Sequence, residues 1–373
     1  RFTDARKCGK IKAVSLGGVN MAKERQAGLD LVRAAAIFFV VCLHGITMRG
    51  ALGEAMLTPV WCAKVFVRYL SLSAVPLFLL LSGYLQAGKR PTKAYYRGLL
   101  PLYLSYFVIA ALCMAAEAFY AHIAGAAMLS LPMALYRILD FSADGYAWYF
   151  EMYIGLFLLL PFLNLAYANI PTRTGKRVLL GSLVFLTLLP ETLVSFAPYY
   201  GGGSLSLRII PDFFETLYPV TFYFVGSYIG EYRPRLRAWQ RPLFVLLSAA
   251  LPAALCIGFT AARGEYAWYM MNGFSTLTVL GTAVTVFLAL YDLPVRFASV
   301  RRAAAAVSRC TFEMYLLSYL WDQLLYRKLV LPLSVTVLLV FAASFCSAWL
   351  LRLILRPAAR GLAALYNKLL KIE

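Results

Sequence analysis

The sequence predicts an all-α, polytopic membrane helix bundle of about ten transmembrane helices, with both termini in the cytoplasm. Three observations carry this expectation. Of 373 residues, 62% are hydrophobic and 14% charged, and the mean hydropathy is +0.72. A soluble domain is nearer half apolar and a quarter charged. The apolar residues gather into about ten segments, most of them near the twenty residues a bilayer-spanning helix needs. The basic residues fall between those segments, in alternate connections. A net charge of +19 would suit nucleic acid if it were clustered. Spread this way it reads as topology signals facing an anionic leaflet, so membrane lipids are the expected partner and nucleic acid is not.

The segments run, in order, over residues 29–48, 66–86, 99–121, 146–168, 178–198, 214–230, 243–261, 273–291, 310–326 and 333–355. Of the 36 lysines and arginines, 27 lie in one alternate set: residues 1–28, 87–97, 169–177, 231–241, 292–309 and the tail from Arg352. That bias places both termini on the cytoplasmic side. Pro190, Pro219 and Pro252 fall within spans, where kinks are expected. Tyr199–Ser204 reads as a flexible loop. Residues 357–372 alternate apolar and basic faces and are expected to lie along the inner interface. The layout is a basic cytoplasmic segment 1–28, one transmembrane domain 29–355 and a basic amphipathic tail 356–373. Within the first segment, Met21 is a plausible natural start and residues 1–20 are given no function. The seven cysteines are scattered and mostly lie within apolar runs, without metal-ligand spacing, so they read as small buried hydrophobes and no metal is expected.

The first segment carries Arg33 and His44, one of two histidines in the chain. Eleven residues apart, they differ by three turns plus about 20°, so they share a helix face and are separated by roughly 16 Å along the axis. Two readings stand. An intramembrane ionisable pair marks function; alternatively Arg33 snorkels to one interface and His44 sits at the other. The second histidine, His122, ends the third segment and reads as interfacial.

The chain's motifs follow in a set order. After Arg33-x10-His44 come Ser73-Ala-Val-Pro-Leu-Phe-Leu-Leu-Leu-Ser-Gly-Tyr84 and Arg97-Gly-Leu-Leu-Pro101. Then come Trp148-Tyr-Phe-Glu-Met-Tyr-Ile-Gly-Leu-Phe-Leu-Leu-Leu-Pro161, Tyr223-Phe-Val-Gly-Ser-Tyr-Ile-Gly230 and Thr311-Phe-Glu-Met-Tyr-Leu-Leu-Ser-Tyr-Leu320. In this order they resemble the acyltransferase-3 family over about residues 25–355. That resemblance implies a ten-span bacterial inner-membrane protein that moves acyl groups, usually acetyl, to extracytoplasmic glycans and related acceptors. It also implies a catalytic role for His44. The chain departs from the pattern at Ser318 and at Tyr146-Ala147, where many relatives carry histidine. In the first inner loop Ala94 stands where a first arginine is usual, and Arg97 fits the second.

Acyl transfer from a thioester to a sugar hydroxyl needs a base and a stabiliser of the oxyanion. His44 suits the base, or could itself carry the acyl group. Arg33 offers a multi-donor guanidinium to the phosphates or pantetheine carbonyls of acetyl-CoA or another acyl-CoA, with Asp30 one turn earlier to orient it. Lys89, Arg90, Lys93 and Arg97 read either as a topology signal or as a dock for coenzyme A phosphates, Arg97 first. In-span carboxylates are Glu117, Glu151, Glu191, Glu215, Glu313 and Asp322; Glu151 and Glu313 are the expected partners of Arg33 or His44. Ser82, Gly83, Tyr84 and Tyr315 are expected to line a passage or permit close helix approach. Trp148 and Tyr149 read as a sugar platform or an aromatic belt. The expected activity is O-acylation of a glycan or lipid-linked saccharide, through one polar passage from the cytosolic mouth to His44. The alternatives are a non-enzymatic glycan exporter and, less well supported, a scaffold. Acyl group, acceptor and oligomeric state stay open.

Overall fold

The structure, a computed structural model, describes residues 26–53, 55–196, 210–328 and 330–370. The basic segment up to residue 25, including Cys8, and the loop Tyr199–Ser204 lie outside the described residues. Among the described residues every regular element is helical.

α1 (Ala27–Met48) is the hub of the bundle. Its buried stripe Leu29, Val32, Ala36, Ile37 and Val40 follows the 3.6-residue period. α2 (Pro59–Ser71) and α3 (Ala74–Gln86) are separated by one turn at Leu72–Ser73 and together form one long apolar stretch. Thr58 accepts the Trp61 amide at 3.2 Å and Pro59 opens the first turn, which sets the start of α2. α4 (Lys93–Tyr96), capped by Thr92, passes through a tight turn into α5 (Leu100–Ile123). His122 is exposed in the last turn of α5. α6 (Leu131–Leu139) buries no residue and lies on the surface. α7 (Trp148–Ala168), α8 (Arg173–Thr187), α9 (Leu189–Val194), α10 (Tyr218–Tyr232), α11 (Gln240–Arg263), α12 (Leu277–Leu290), α13 (Ala298–Lys328) and α14 (Leu333–Leu370) complete the chain.

Among the described residues, six stretches have the length and apolarity to cross a membrane: Ala27–Met48, Pro59–Gln86, Lys93–Ile123, Trp148–Ala168, Gln240–Arg263 and Leu333–Leu370. The other four expected segments fall on α8–α9, α10, α12 and α13. The first is broken at Leu188, the next two are 15 and 14 residues long. α13 has the length but carries charges, Glu313 and Asp322 among them, that a lipid-facing helix would not. Pro190 and Pro219 do not kink spans; they sit in the first turns of α9 and α10, where a missing N–H costs nothing. Pro252 is inside α11. α14 runs unbroken through Pro357, so residues 356–370 continue the last helix.

Large apolar side chains point outward on α5 (Phe107, Leu112), α7 (Leu159, Phe162), α11 (Leu247, Leu251) and α14 (Leu350, Ile354). On a soluble protein such a girdle would drive aggregation; here it is the lipid-facing surface of a multi-pass membrane protein. Inside, α1 and α13 run parallel: Asp30 meets Ser308 at one end and His44 meets Asp322 at the other. α3 and α10 also run parallel and touch backbone to backbone. A Cβ on Gly83 would strike the Tyr223 carbonyl, and one on Gly226 the Leu80 carbonyl.

Candidate active site

α13 places Ser308, Tyr315 and Asp322 seven residues apart. Seven residues are two turns less about 20°, so the three form one stripe along the helix. It faces the Arg33/His44 stripe of α1, and the polar groups of the two helices meet at two levels.

At the level of the α1 N-terminus, Arg33 Nη1 donates to Ser308 Oγ at 3.3 Å, and Ser308 Oγ donates to buried Asp30 Oδ1 at 2.6 Å. Arg33 Nη1 itself lies 3.7 Å from Asp30 Oδ1. Ser308 and Asp30 thus fix a half-buried guanidinium at the wall of a cavity of about 430 Å³, lined also by Ser82, Gln86, Tyr149, Tyr153 and Tyr315. Gln86 Nε2 donates to the Tyr153 hydroxyl at 3.0 Å, and Gln86 Oε1 accepts from the Tyr95 hydroxyl at 3.3 Å. The buried Tyr315 hydroxyl has no hydrogen-bond partner among the described residues. An unpaired buried donor is costly, so Tyr315 and Arg33 suit a ligand rich in carbonyl oxygens.

At the other level, His44 lines a second cavity of about 280 Å³ with Thr47, Arg68, Tyr146, Asn272 and Phe274. Its ring stacks on Tyr146, centroids 3.7 Å apart and 29° from parallel. The Tyr146 hydroxyl donates to Asp322 Oδ2 at 2.7 Å, and the same oxygen is 3.8 Å from His44 Nδ1. Asp322 is wholly buried. A carboxylate behind Nδ1 favours the tautomer whose Nε2 can accept a proton. Tyr146 is preceded by Asp144, in the turn between α6 and α7, whose Oδ1 accepts the Tyr146 amide at 2.8 Å. Burial pushes the Asp144 carboxyl up from 3.8 to about 7, against the smaller opposing pull of that amide.

The two cavities share no lining residue, so the single passage expected from the sequence is divided. The partition is aromatic: Tyr146 of the His44 cavity and Tyr315 of the Arg33 cavity are 6.2 Å apart, and Tyr149 lies 5.4 Å from Tyr315.

Arg33, Ser82 and Tyr315 line the first cavity, with Asp30 buried behind Arg33, and His44 lines the second. The other expected site residues lie elsewhere. Glu313 is buried, but it accepts from Ser105 Oγ at 3.2 Å and pairs with Arg352 of α14 at 3.4 Å, not with Arg33 or His44. Glu151 is exposed and lines neither cavity. Tyr84 turns away to pack on Phe287 and Tyr291, with centroids 5.8 and 5.9 Å apart. Trp148 stacks on Phe274 at 5.7 Å and so backs the His44 cavity without lining it. Lys93 Nζ donates to the Leu370 carbonyl at 2.9 Å and Arg97 Nη1 to Asn367 Oδ1 at 2.8 Å, both at the far end of α14. Ser318, at one missing-histidine position, is buried and bonds the Tyr315 carbonyl at 2.7 Å.

Sequence reasoning noted Asp322 as an in-span carboxylate and Tyr146 as a departure from the family pattern but gave neither a role in the site, and it gave none to Ser308 and Arg68. The heptad Ser308–Tyr315–Asp322 was the available signal, since polar groups at that spacing on an apolar helix mark an interior face. Nothing local marks Arg68 or Asn272, which meet only through the fold.

The family model for an acyltransferase domain, acyltransferase-3, matches residues 26–353. No curated protein and no solved structure matches the chain. With that match over most of its length, on a helical bundle whose ionisable groups converge at two levels of one helix pair, the chain belongs to the acyltransferase-3 family.

Proposed function

We propose that this acyltransferase is an O-acyltransferase, with acetyl as the leading group, that works from cytosolic acyl-CoA onto a hydroxyl of an extracytoplasmic or lipid-linked glycan. The setting is the bacterial inner membrane, with ten spans and both termini cytoplasmic. The distribution of basic residues and the parallel α1–α13 and α3–α10 pairs support that layout.

The single observation that carries the reading is the vertical pairing on α1 and α13. A fixed guanidinium lies at one level, and an imidazole backed by a buried carboxylate lies at the other. Acyl-CoA, when bound, supplies the activated carbonyl. Arg33 and the Tyr315 hydroxyl would hold its carbonyl oxygens in the first cavity, and Arg97, outside that lining, would take a phosphate. His44 Nε2 takes the proton of the acceptor hydroxyl while Asp322 steadies the resulting imidazolium. The new ester C–O bond forms as the thioester C–S bond breaks, and His44 returns the proton to the departing thiolate sulfur. Tyr146 and Tyr315 must shift for the carbonyl to come within reach of His44. An aromatic partition of this kind supports handing over a small acyl group and disfavours export of a whole glycan.

The test supplies radiolabelled acetyl-CoA to inside-out vesicles and follows label into glycan. His44→Ala should lower transfer at least a hundredfold; unchanged transfer removes His44 as the base.

A further inference from the structure

The His44 cavity contains a cation that acyl transfer alone does not require. Arg68 comes from the last turn of α2 and is half-buried. Its Nη2 donates to Asn272 Oδ1 at 2.5 Å and its Nη1 to Thr47 Oγ1 at 3.4 Å. Both partners are neutral. Among the described residues no carboxylate lies within ion-pair distance of Arg68. Asp322, which reaches this cavity's His44 and Tyr146, is wholly buried and engaged by both. Arg68 also lies on the side of the membrane poor in basic residues, where topology gives no reason for it.

The surroundings are those of a binding site. The Tyr69 hydroxyl donates to the Met270 carbonyl and so pins the loop that carries Asn272. Asn272 lines the cavity, and because its Oδ1 accepts from Arg68, its amide NH2 group is the part of the side chain that can donate to a ligand. Tyr146 and Phe274 supply apolar ring faces, and Trp148 stacks behind Phe274. A volume of about 280 Å³ holds one sugar ring, not a chain. Thr47, which Arg68 touches, lies three residues beyond His44 on α1, so the two residues that face the cation and carry the imidazole are about one helical turn apart along the same cavity wall.

We propose that Arg68 and Asn272 form an acceptor subsite for an anionic sugar unit, carrying a carboxylate or a phosphate, that is acylated on a hydroxyl of the same ring. This rests on the transferase reading above and names its acceptor class. The guanidinium fork takes the anion, the Asn272 amide takes a neighbouring oxygen, and the ring lies against Tyr146 and Phe274 with a free hydroxyl toward His44. The ester forms at that hydroxyl, whose proton leaves with the thiol, and the anion keeps its charge throughout.

The experiment measures binding to the purified full chain in nanodiscs, without donor, and then transfer from acetyl-CoA. The probes are a trigalacturonate, its carboxyl-reduced neutral counterpart, and a disaccharide bearing a 6-phosphate. The wild type should bind at least one charged probe about tenfold or more tighter than the neutral one, and added salt should erode the difference. Which charged probe wins separates carboxylate from phosphate. Arg68→Gln should abolish the preference and Arg68→Lys keep part of it. Asn272→Asp, which neutralises the cation in place, should abolish it as well. Equal binding of charged and neutral probes by the wild type overturns the subsite, as does a preference that survives Arg68→Gln. Transfer to the neutral probe without preference rejects the subsite and leaves the transferase reading standing. A clear binding preference with no acetyl-CoA consumed supports the subsite and rejects the transferase reading.

Discussion

His44 carries this site because of the residue it leans on. Asp322 Oδ2 is 3.8 Å from Nδ1, longer than a hydrogen bond but within reach of a small shift on substrate binding. Asp322 touches no substrate in this arrangement; it is a positioning residue, acting through His44 and Tyr146. Asp322→Asn should therefore lower kcat ten- to a hundredfold, leave KM for acyl-CoA unchanged and move the pH–rate profile, with partial rescue by Asp322→Glu. A mere packing role would move thermal stability and leave the profile in place. Asp144 yields a separate prediction. Its folded-state pKa is raised from 3.8 to about 7, so between those values the folded protein holds a proton that the unfolded chain has lost. The contribution of this one carboxyl to folding stability is then most favourable below about pH 4, falls as pH rises to about 7, and is lower by up to roughly 4 kcal/mol once the carboxylate is ionised in both states. Thermal unfolding of the solubilised protein across that range should show the decline, and Asp144→Asn should flatten it.

Among the helices, α3 and α10 approach one another closely, where Gly83 and Gly226 let two backbones touch. The contact keeps α3 still, and α3 presents Ser82 and Gln86 to the Arg33 cavity. Gly226→Val forces a methyl-bearing carbon into the Leu80 carbonyl, which neither helix can yield without moving. A loss of about 1–3 kcal/mol or more is expected, read as a lower unfolding midpoint. Gly258 in α11, with open space where a Cβ would stand, is the control. Gly258→Ala should be neutral or stabilising by up to about 1 kcal/mol. Glu313 belongs to this scale too, since with Ser105 and Arg352 it joins α13 to α5 and α14.

Across the whole molecule, the end of α14 returns to α4 and the tight turn that follows it. Asn367 takes Arg97, and the Leu370 carbonyl and the Tyr366 hydroxyl flank Lys93. If Arg97 is the phosphate dock, Arg97→Ala should raise KM for acyl-CoA about tenfold with kcat nearly unchanged, the signature of binding shared by ground and transition states. Ending the chain before Tyr366 should lower that KM a few-fold by freeing Arg97 from Asn367. Initial-rate kinetics with varied acyl-CoA would check both, and equal KM values in all three proteins would remove Arg97 from the donor site.

The sequence alone determined the helical class, the membrane setting, the family and the shared face of Arg33 and His44. Each depends on local hydrophobicity, or on the fixed angle between residues of one helix. Tertiary structure decided everything that needed two helices at once. Asp322 came to His44 while Glu313 went to Arg352, because the rotation and depth of α13 against α1 and α14 select which carboxylate meets which cation. Tyr84 turned from the cavity that its neighbour Ser82 lines. Arg68 met Asn272 across more than two hundred residues. Hydropathy fixes that a helix lies in the bilayer, but its rotation is set by packing against neighbours distant in the chain.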